Sequence, residues 1–411
     1  MRPVAVSLSW LTTLFSAFAF VLPVTSVLVP KGVVPVLLVT AGLAGLIVWR
    51  ARWRPWPLDP RIAAVLALLV VWCGIASFWG FDVGASLNLA ARIATIFAAG
   101  LLLFAIVRVL DEDQRNAIGR WLVGGIAVGL LVMVIEAAFD FPLLGLVKEA
   151  EGRVYRFVWL NRGATALAML CWPATAFLWR GGLGRLSLAL PLALAIVLSF
   201  LISGAALAGL MVGALTALVA QLQRKLGRAL LVVMTLLALV GTPIAVKEFH
   251  ARGWHKAEWL SPSAQHRIEI WNFTVDLILE KPLTGWGFDV SREISRREIV
   301  STETGRTIMP LHPHNGELQI LLELGAIGGA IAFVLMWLLI KRLDALPSPV
   351  SRNFATALFA TTLTIASISF GLWQNQWLAM MISAALIIPL TTGKAEKQAL
   401  EIAAEAERTP S

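Results

Sequence analysis

The chain has 411 residues, 58% of them hydrophobic and 14% charged, and its mean hydropathy is +0.79. Soluble domains are about half apolar and a quarter charged, so this composition excludes a soluble globular protein and indicates a polytopic membrane protein. The formal net charge of +9 predicts no nucleic-acid partner, because basic loops on one side of a membrane account for much of it.

Apolar runs of roughly 17 to 25 residues, the length that crosses a bilayer as a helix, follow one another along the chain. Twelve candidates begin near Val6, Val33, Ile62, Asn88, Trp121, Gly163, Leu186, Ala205, Ala229, Gly316, Phe354 and Trp373. Within this set, residues 186–222 are interpreted as a hairpin that turns at Ser203 and Gly204. We therefore predict an all-α, polytopic integral membrane fold of about 12 transmembrane helices.

Charge in the short loops predicts the orientation of these helices. Each loop on the side of the N-terminus, such as "RARWRP" and "QRKLGR", carries at least two basic residues, whereas the short turns on the other side contain one Lys in total. The positive-inside rule then places both termini in the cytoplasm. Residues 1–393 are predicted to form one transmembrane domain, and residues 394–411 a cytoplasmic tail.

Two outer loops are long and basic, at about 140–162 and 247–315, the second just before the tenth predicted helix. Long loops can escape the charge rule, but arginines on the outer face would also suit an anionic, lipid-linked substrate. In the second loop, Ser261 and Pro262 predict the start of a surface helix that stops before Pro282. Its apolar stripe is Ile268, Trp271, Val275 and Ile278, and the following residues 292–306 are predicted to be irregular.

The segments "EKPLTGWGFD" and "HPHNGELQILLELGAIGG" resemble the shared core of the O-antigen ligase and O-antigen polymerase superfamily. The family signature is a Pro-Leu-x-Gly-x-Gly turn, then His-Asn-x-x-Leu-Gln, then Glu-x-Gly-x-x-Gly at the start of a span. The matching residues are Pro282, Gly285, Gly287, His314, Asn315, Leu318, Gln319, Glu323, Gly325 and Gly328.

This resemblance implies a bacterial inner-membrane enzyme that needs no metal or other cofactor and whose active site faces the periplasm. Such enzymes transfer a glycan from undecaprenyl diphosphate to an acceptor hydroxyl, with inversion at the anomeric carbon. The acceptor is lipid A core in ligases, another glycan in polymerases and a protein side chain in a third branch. The resemblance leaves these three open, and ligation to lipid A core is the version we expect here.

The resemblance also implies a catalytic His and two arginines near the lipid diphosphate, and His314 and Arg267 match two of these positions. Family members commonly carry Ser-Arg-Gly at the outer end of a middle span, where this chain reads Ser203-Gly204-Ala205. Our hypothesis is that Arg162, at the outer start of an earlier span, supplies the missing charge.

Elementary chemistry independently supports one base and two arginines. A lipid diphosphate is already a good leaving group, so the remaining tasks are to deprotonate the acceptor hydroxyl and to stabilise negative charge on phosphate. His314 is preferred to His312 as the base, because it lies closer to the helix that Asn315 is predicted to cap. The alternatives are that both imidazoles only bond to loop backbone, or that they bind a metal together with His250, His255 or His266.

Other polar residues in or near the spans are candidates for substrate binding. They are Arg92, Arg153, Arg156, His312, Asn315 and Glu323. Arg92 either serves the site, extends towards the membrane surface or pairs with Glu136, and Glu323 is predicted to orient Arg or His groups. Outside the transferase class, a transporter remains the alternative, although the polar residues gather on one outer face and we found no convincing repeat between halves.

Overall fold

The computed structural model describes residues 2–53, 59–146, 157–201, 203–300, 305, 307–346 and 348–392. In these residues the chain forms fifteen α-helices joined by turns and short 3₁₀ or π segments. They are α1 (Arg2–Leu28), α2 (Val33–Arg50), α3 (Pro60–Ala76), α4 (Val83–Ile106), α5 (Glu112–Ala138), α6 (Asn161–Leu178), α7 (Ala189–Phe200), α8 (Gly204–Leu222), α9 (Arg224–Leu236), α10 (Thr242–Ala251), α11 (Pro262–Glu280), α12 (Val290–Arg296), α13 (Gly316–Asp344), α14 (Pro349–Ile368) and α15 (Asn375–Thr392). Extended pairing in the described part is limited to one bridge, Val300 to Thr307.

The predicted all-α, polytopic membrane fold is confirmed. Nine helical stretches among the described residues are long and apolar enough to cross a bilayer. The predicted number of twelve is not confirmed, although every predicted span falls on a helix. One stretch, residues 158–200, contains two predicted spans, α15 is shorter than the nine, and α14 is rich in Thr and Ser. The tail 394–411 lies outside the described residues.

Helix α6 is the centre of the bundle, and α1, α5, α7, α8, α14 and α15 pack around it. All of its side chains from Gly163 to Ala176 are buried. Small residues allow the closest helix approaches, as expected where van der Waals packing drives association in lipid. A Cβ on Gly213 would lie 2.7 Å from the Ala357 carbonyl of α14, and one on Gly125 would lie 2.5 Å from the Phe20 carbonyl of α1.

The predicted hairpin is present, with α7 ending at Phe200 and α8 beginning at Gly204. Helix α8 then lies along α14, and a chain of hydrogen bonds joins both to α6. The Trp172 indole donates to Thr361 Oγ1 at 2.8 Å, and the Thr361 hydroxyl donates to the Gly209 carbonyl at 2.9 Å. The polar groups of Trp172 and Thr361 are therefore satisfied between helices, as a lipid-embedded core favours.

The surface helix predicted in the second outer loop is α11, and its bounds agree with the prediction. The Ser261 hydroxyl caps it by accepting from the Ala264 amide, and Pro262 is its first residue. Ile268, Val275 and Ile278 are buried, and Trp271 packs beside them. The prediction that residues 292–306 are irregular is wrong for their first part. Helix α12 continues to Arg296, because Val290 and Ile294, one turn apart, pack into the apolar cluster beneath α11.

The two glycine-containing motifs pack against each other through their backbones. Helix α13 is kinked at Gly325, whose φ of 64° and ψ of −166° belong to a region that only glycine occupies readily. The amide of Ala326, which the kink releases from the helix, donates to the Pro282 carbonyl at 2.8 Å. The released Leu324 carbonyl accepts from the Trp72 indole at 3.0 Å. The kink therefore joins α13 to the turn after α11, and both motifs have a structural role.

We expect Gly325→Ala to prevent stable folding. The added Cβ would lie 2.2 Å from the Leu283 carbonyl oxygen, which is backbone and cannot rotate away. Strain at such a φ/ψ costs about 1–3 kcal/mol before the clash is counted. Thermal denaturation in detergent should show a much lower melting temperature or no folded protein. Gly74→Ala is the matched control, because a Cβ at Gly74 meets nothing within 4 Å and alanine favours a helix.

Candidate functional site

Three consecutive carbonyls at the end of α14 organise the polar cluster around His314. A helix leaves its last carbonyls without partners inside the helix, and they carry partial negative charge. Here Ser367 accepts from Asn315 Nδ2 at 2.7 Å, and Ile368 accepts from Arg267 Nη1 at 2.7 Å. Ser369 accepts from the Nδ1 of His314 at 2.9 Å. One helix end thus positions a cap residue, a cation and an imidazole from distant parts of the chain.

The contact between His314 and Ser369 determines which ring nitrogen can act as a base. A carbonyl oxygen only accepts, so Nδ1 carries the proton, and the lone pair of the neutral ring lies on Nε2. Among the described residues, Nε2 of His314 has no hydrogen-bond partner. The backbone of His314 has a φ of 55°, which is uncommon for a residue other than glycine and is found more often at functional sites.

Burial and nearby charge keep His314 neutral. Burial lowers its pKa from the ordinary value of 6.5, and the positive charge of Arg267 and the neighbouring His266 lower the pKa further. The Ser369 carbonyl acts in the opposite direction by stabilising the protonated ring. The net direction is downward, so the unprotonated form, which can accept a proton, predominates at neutral pH.

His312 lies next to His314 in a more enclosed position. Its exposed fraction is 7%, and its ring centroid is 4.4 Å from that of His314. Its Nε2 lies 2.7 Å from Gln374 Nε2, and its Nδ1 lies 3.2 Å from the His314 amide. Burial lowers its pKa to about 3, and the neighbouring His314 ring, when protonated, and the positive charge of Arg162 act in the same direction. Because protein groups face both of its nitrogens, His312 is the less suitable base.

Two arginines place positive charge beside the histidines. Arg267, in the second turn of α11, uses one N–H group for the Ile368 carbonyl, and a guanidinium has five such donors. Burial lowers the pKa of Arg267, but guanidinium groups stay charged in proteins. Arg162 is exposed in the first turn of α6, close enough for its charge to lower the pKa of His312. The structure therefore brings together His314, His312, Arg267 and Arg162.

Asn315 lies at this site as the predicted cap. Its Oδ1 accepts from the Leu318 amide at 2.8 Å, while its Nδ2 reaches Ser367. Both ends of its amide group are thus occupied by protein. The positive end of the α13 dipole consequently points towards the histidine loop, where it favours an anion.

Glu323 lies deeper and does not orient His or Arg groups through its described hydrogen bonds. Its Oε1 accepts from the Ser291 hydroxyl at 2.6 Å and from Gln319 at 3.0 Å. Its Oε2 accepts from the Asp289 amide at 2.9 Å and from the Trp373 indole at 2.8 Å. With an exposed fraction of 0%, the Glu323 carboxyl connects α13 to the start of α12 and to the turn before α15.

The remaining candidates are not part of this cluster in the described structure. Arg92 is exposed on α4, and its Nε donates to Asn88 at 2.8 Å. The proposed pairing of Arg92 with Glu136 is wrong, because both Glu136 oxygens accept from the amides of Leu143 and Leu144. This carboxyl therefore orders the turn after α5. Arg153 and Arg156 lie outside the described residues.

Some contributors were not predicted from the sequence. The carbonyls of Ser367, Ile368 and Ser369 carry no distinctive side chain, and their only signal is that they end a helix. Trp271 donates from its indole to the Pro313 carbonyl at 2.8 Å, which anchors the peptide between the two histidines. From the helical spacing, Trp271 was predicted only as a member of the apolar stripe. The metal alternative is not supported, because no group of three His, Cys, Asp or Glu suited to a metal occurs among the described residues.

Known proteins share this part of the chain. Residues 186–333 match the O-antigen ligase family. A Rickettsia conorii protein named "Putative polysaccharide ligase" is 26% identical over 330 residues, 79% of each chain. Its namesakes are 27% identical in Rickettsia felis, over 79% of each chain, and in Rickettsia typhi, over 76% of each chain. The likeness to the O-antigen ligase family that the His314 motif predicted is therefore confirmed.

Proposed function

We propose that this protein is a membrane-embedded polysaccharide ligase that transfers a glycan from undecaprenyl diphosphate to an acceptor hydroxyl. The hydrogen bond from His314 Nδ1 to the Ser369 carbonyl is the single observation that carries the proposal. It leaves Nε2 as the basic nitrogen of a neutral ring, beside two arginines suited to a diphosphate. The family match and the relatives' names support glycan transfer.

In the proposed reaction the acceptor oxygen attacks the anomeric carbon from the side opposite the diphosphate. The new carbon–oxygen bond forms as the bond to the diphosphate oxygen breaks, and that oxygen keeps the electron pair. The acceptor proton moves to His314 Nε2, and the Ser369 carbonyl stabilises the imidazolium that results. Arg267, Arg162 and the N-terminal end of α13 stabilise the negative charge that accumulates on the departing phosphate.

The location of the cluster supports an enzyme of the outer face. His314, Arg267 and Arg162 lie at the end of the bundle opposite the basic loops. On the positive-inside rule we propose that this end faces the periplasm. The polar groups gather at one end of the bundle, whereas a transporter would be expected to place ionisable groups near the midplane. We propose lipid A core as the acceptor.

Replacing the arginines tests this site. We expect Arg162→Ala and Arg267→Ala each to lower transfer about 10²–10³-fold, the usual effect of removing one charge-stabilising group. Arg252→Ala is the matched control, because Arg252 is an exposed outer-loop arginine paired with Glu248 at 2.6 Å. Transfer is measured as glycan moved onto lipid A core, on gels of glycolipids from cells that lack their own ligase. Full activity of Arg162→Ala, with the protein present in the membrane, would contradict the assignment of Arg162 as a group that stabilises the phosphate charge.

The pH dependence tests the protonation state of His314. Because its pKa lies below the ordinary 6.5, the neutral base persists below pH 6.5, and activity should fall only when the pH drops through this lowered pKa. Removing the charge of Arg267 removes one cause of the lowering, so the acid limb of residual activity should move upward in Arg267→Ala. Initial rates with purified lipid-linked donor between pH 4.5 and 8 locate the acid limb of the parent protein and that of Arg267→Ala. If the acid limb of Arg267→Ala lay at the same pH as that of the parent protein, the proposed proximity of Arg267 to His314 would be contradicted.

A further inference from the structure

A groove of about 770 Å³ lies at the end of the bundle opposite His314. Asp344 lines it and is the last residue of α13, whereas His314 lies just before the first residue of this 29-residue helix. At 1.5 Å per residue the two ends are about 40 Å apart. The groove is consequently separate from the proposed reaction site, and its contents would not contact the glycan acceptor.

The walls of the groove are apolar and continuous with the bundle surface. Leu192 and Ala195 of α7 line it together with Met211, Ala214 and Leu218 of α8 and with Trp172 of α6. Leu192 and Met211 are exposed to 62% and 63%. The α8 lining extends from Leu210 to Gln221, which is about 16 Å of helix and about half of the ~30 Å hydrocarbon core. The groove therefore has the length of one leaflet.

The mouth of the groove is strongly basic. Arg185, Arg224, Arg228 and Arg352 line it together with a single carboxylate, that of Asp344. Asp344 already accepts from Arg224 at 2.6 Å and from Arg228 at 2.9 Å. Arg352 also donates from Nη1 to the Leu346 carbonyl at 2.7 Å, which leaves its charge in place. Among the described lining residues, four guanidinium groups against one carboxylate make the groove basic where it reaches the membrane surface.

We propose that this groove binds an anionic phospholipid from the leaflet at that end, which the loop charges predict to be cytoplasmic. Its phosphate lies against Arg185 and Arg352, and an acyl chain lies between α7 and α8. Basic pockets between membrane helices attract anionic head groups, and arginine suits phosphate geometrically. The apolar walls distinguish this ligand from a free anion, which would gain nothing from them. The inference is independent of the proposed transfer reaction.

Thermal stabilisation of the purified, delipidated protein in detergent measures this binding. Phosphatidylglycerol in mixed micelles should raise the melting temperature, and phosphatidylcholine and inorganic phosphate should raise it little. Arg185→Gln with Arg352→Gln should weaken the phosphatidylglycerol affinity about 25-fold, at roughly fivefold for each arginine. Ala214→Trp, which fills the groove and keeps every arginine, should also abolish the stabilisation.

The matched control removes two arginines elsewhere on the same side. Arg50 and Arg61 are exposed at the ends of α2 and α3 and do not line the groove. Arg50→Gln with Arg61→Gln should therefore leave the affinity unchanged. An equal loss of phosphatidylglycerol affinity in this control would mean that general surface charge causes the effect, which would overturn the proposal. Equal stabilisation by phosphatidylcholine, or by inorganic phosphate alone, would overturn it as well.

Discussion

His314→Gln is expected to lower glycan transfer by about 10²–10⁴-fold, the range lost when a general base is removed. Glutamine is of similar size and its amide can still donate to the Ser369 carbonyl, so the loop should keep its shape. It has no basic nitrogen that could take the proton from the acceptor hydroxyl. The measurement is the single-turnover rate with purified undecaprenyl diphosphate-linked glycan and lipid A core.

His312→Gln is the informative comparison for this experiment. The two imidazoles lie 4.4 Å apart, but His312 is more deeply buried and protein groups face both of its ring nitrogens. We expect a smaller loss, of about tenfold, through displacement of its neighbour. If His312→Gln lowered activity more while His314→Gln retained it, His312 rather than His314 would have to be assigned as the base.

Glu323→Ala is expected to lower stability strongly. The substitution leaves the Ser291 hydroxyl, the Gln319 amide, the Asp289 amide and the Trp373 indole without their acceptor. Each unsatisfied buried group costs about 1–3 kcal/mol, so a total loss above about 3 kcal/mol is expected even after partial relaxation. Thermal denaturation in detergent should show a large fall in melting temperature and low accumulation in membranes.

Two further variants separate this structural role from simple loss of a carboxyl. Glu323→Gln keeps the shape and one acceptor oxygen, so its melting temperature should lie between those of the parent protein and Glu323→Ala. Glu280→Ala removes an exposed carboxyl at the end of α11 and should leave stability unchanged within about 0.5 kcal/mol. A Glu323→Ala protein that is as stable as the parent but inactive would instead give this residue a direct part in the reaction.

Helix positions were predictable because their signals are local. Hydropathy over a span, Ser261 and Pro262 at the start of α11, and Asn315 at the start of α13 all act within a few residues of where they stand. The prediction of irregular structure was wrong at residues 292–296, where a helix depends on a distant apolar cluster for its stability. The number of spans was also uncertain, because a hairpin and a single helical stretch can have the same hydropathy.

The site was predictable only in part. The sequence by itself determined the membrane class, the helices and the cap, and through the family resemblance it proposed His314 and Arg267 as candidates. The tertiary structure alone decided that His314, Arg267 and Asn315 meet three carbonyls at the end of α14. It also decided that Arg162 approaches His312, and that Glu323 connects backbone elements. The physical reason is distance along the chain: these contacts join residues about 30 to 150 positions apart. Only helix packing determines which of these side chains meet.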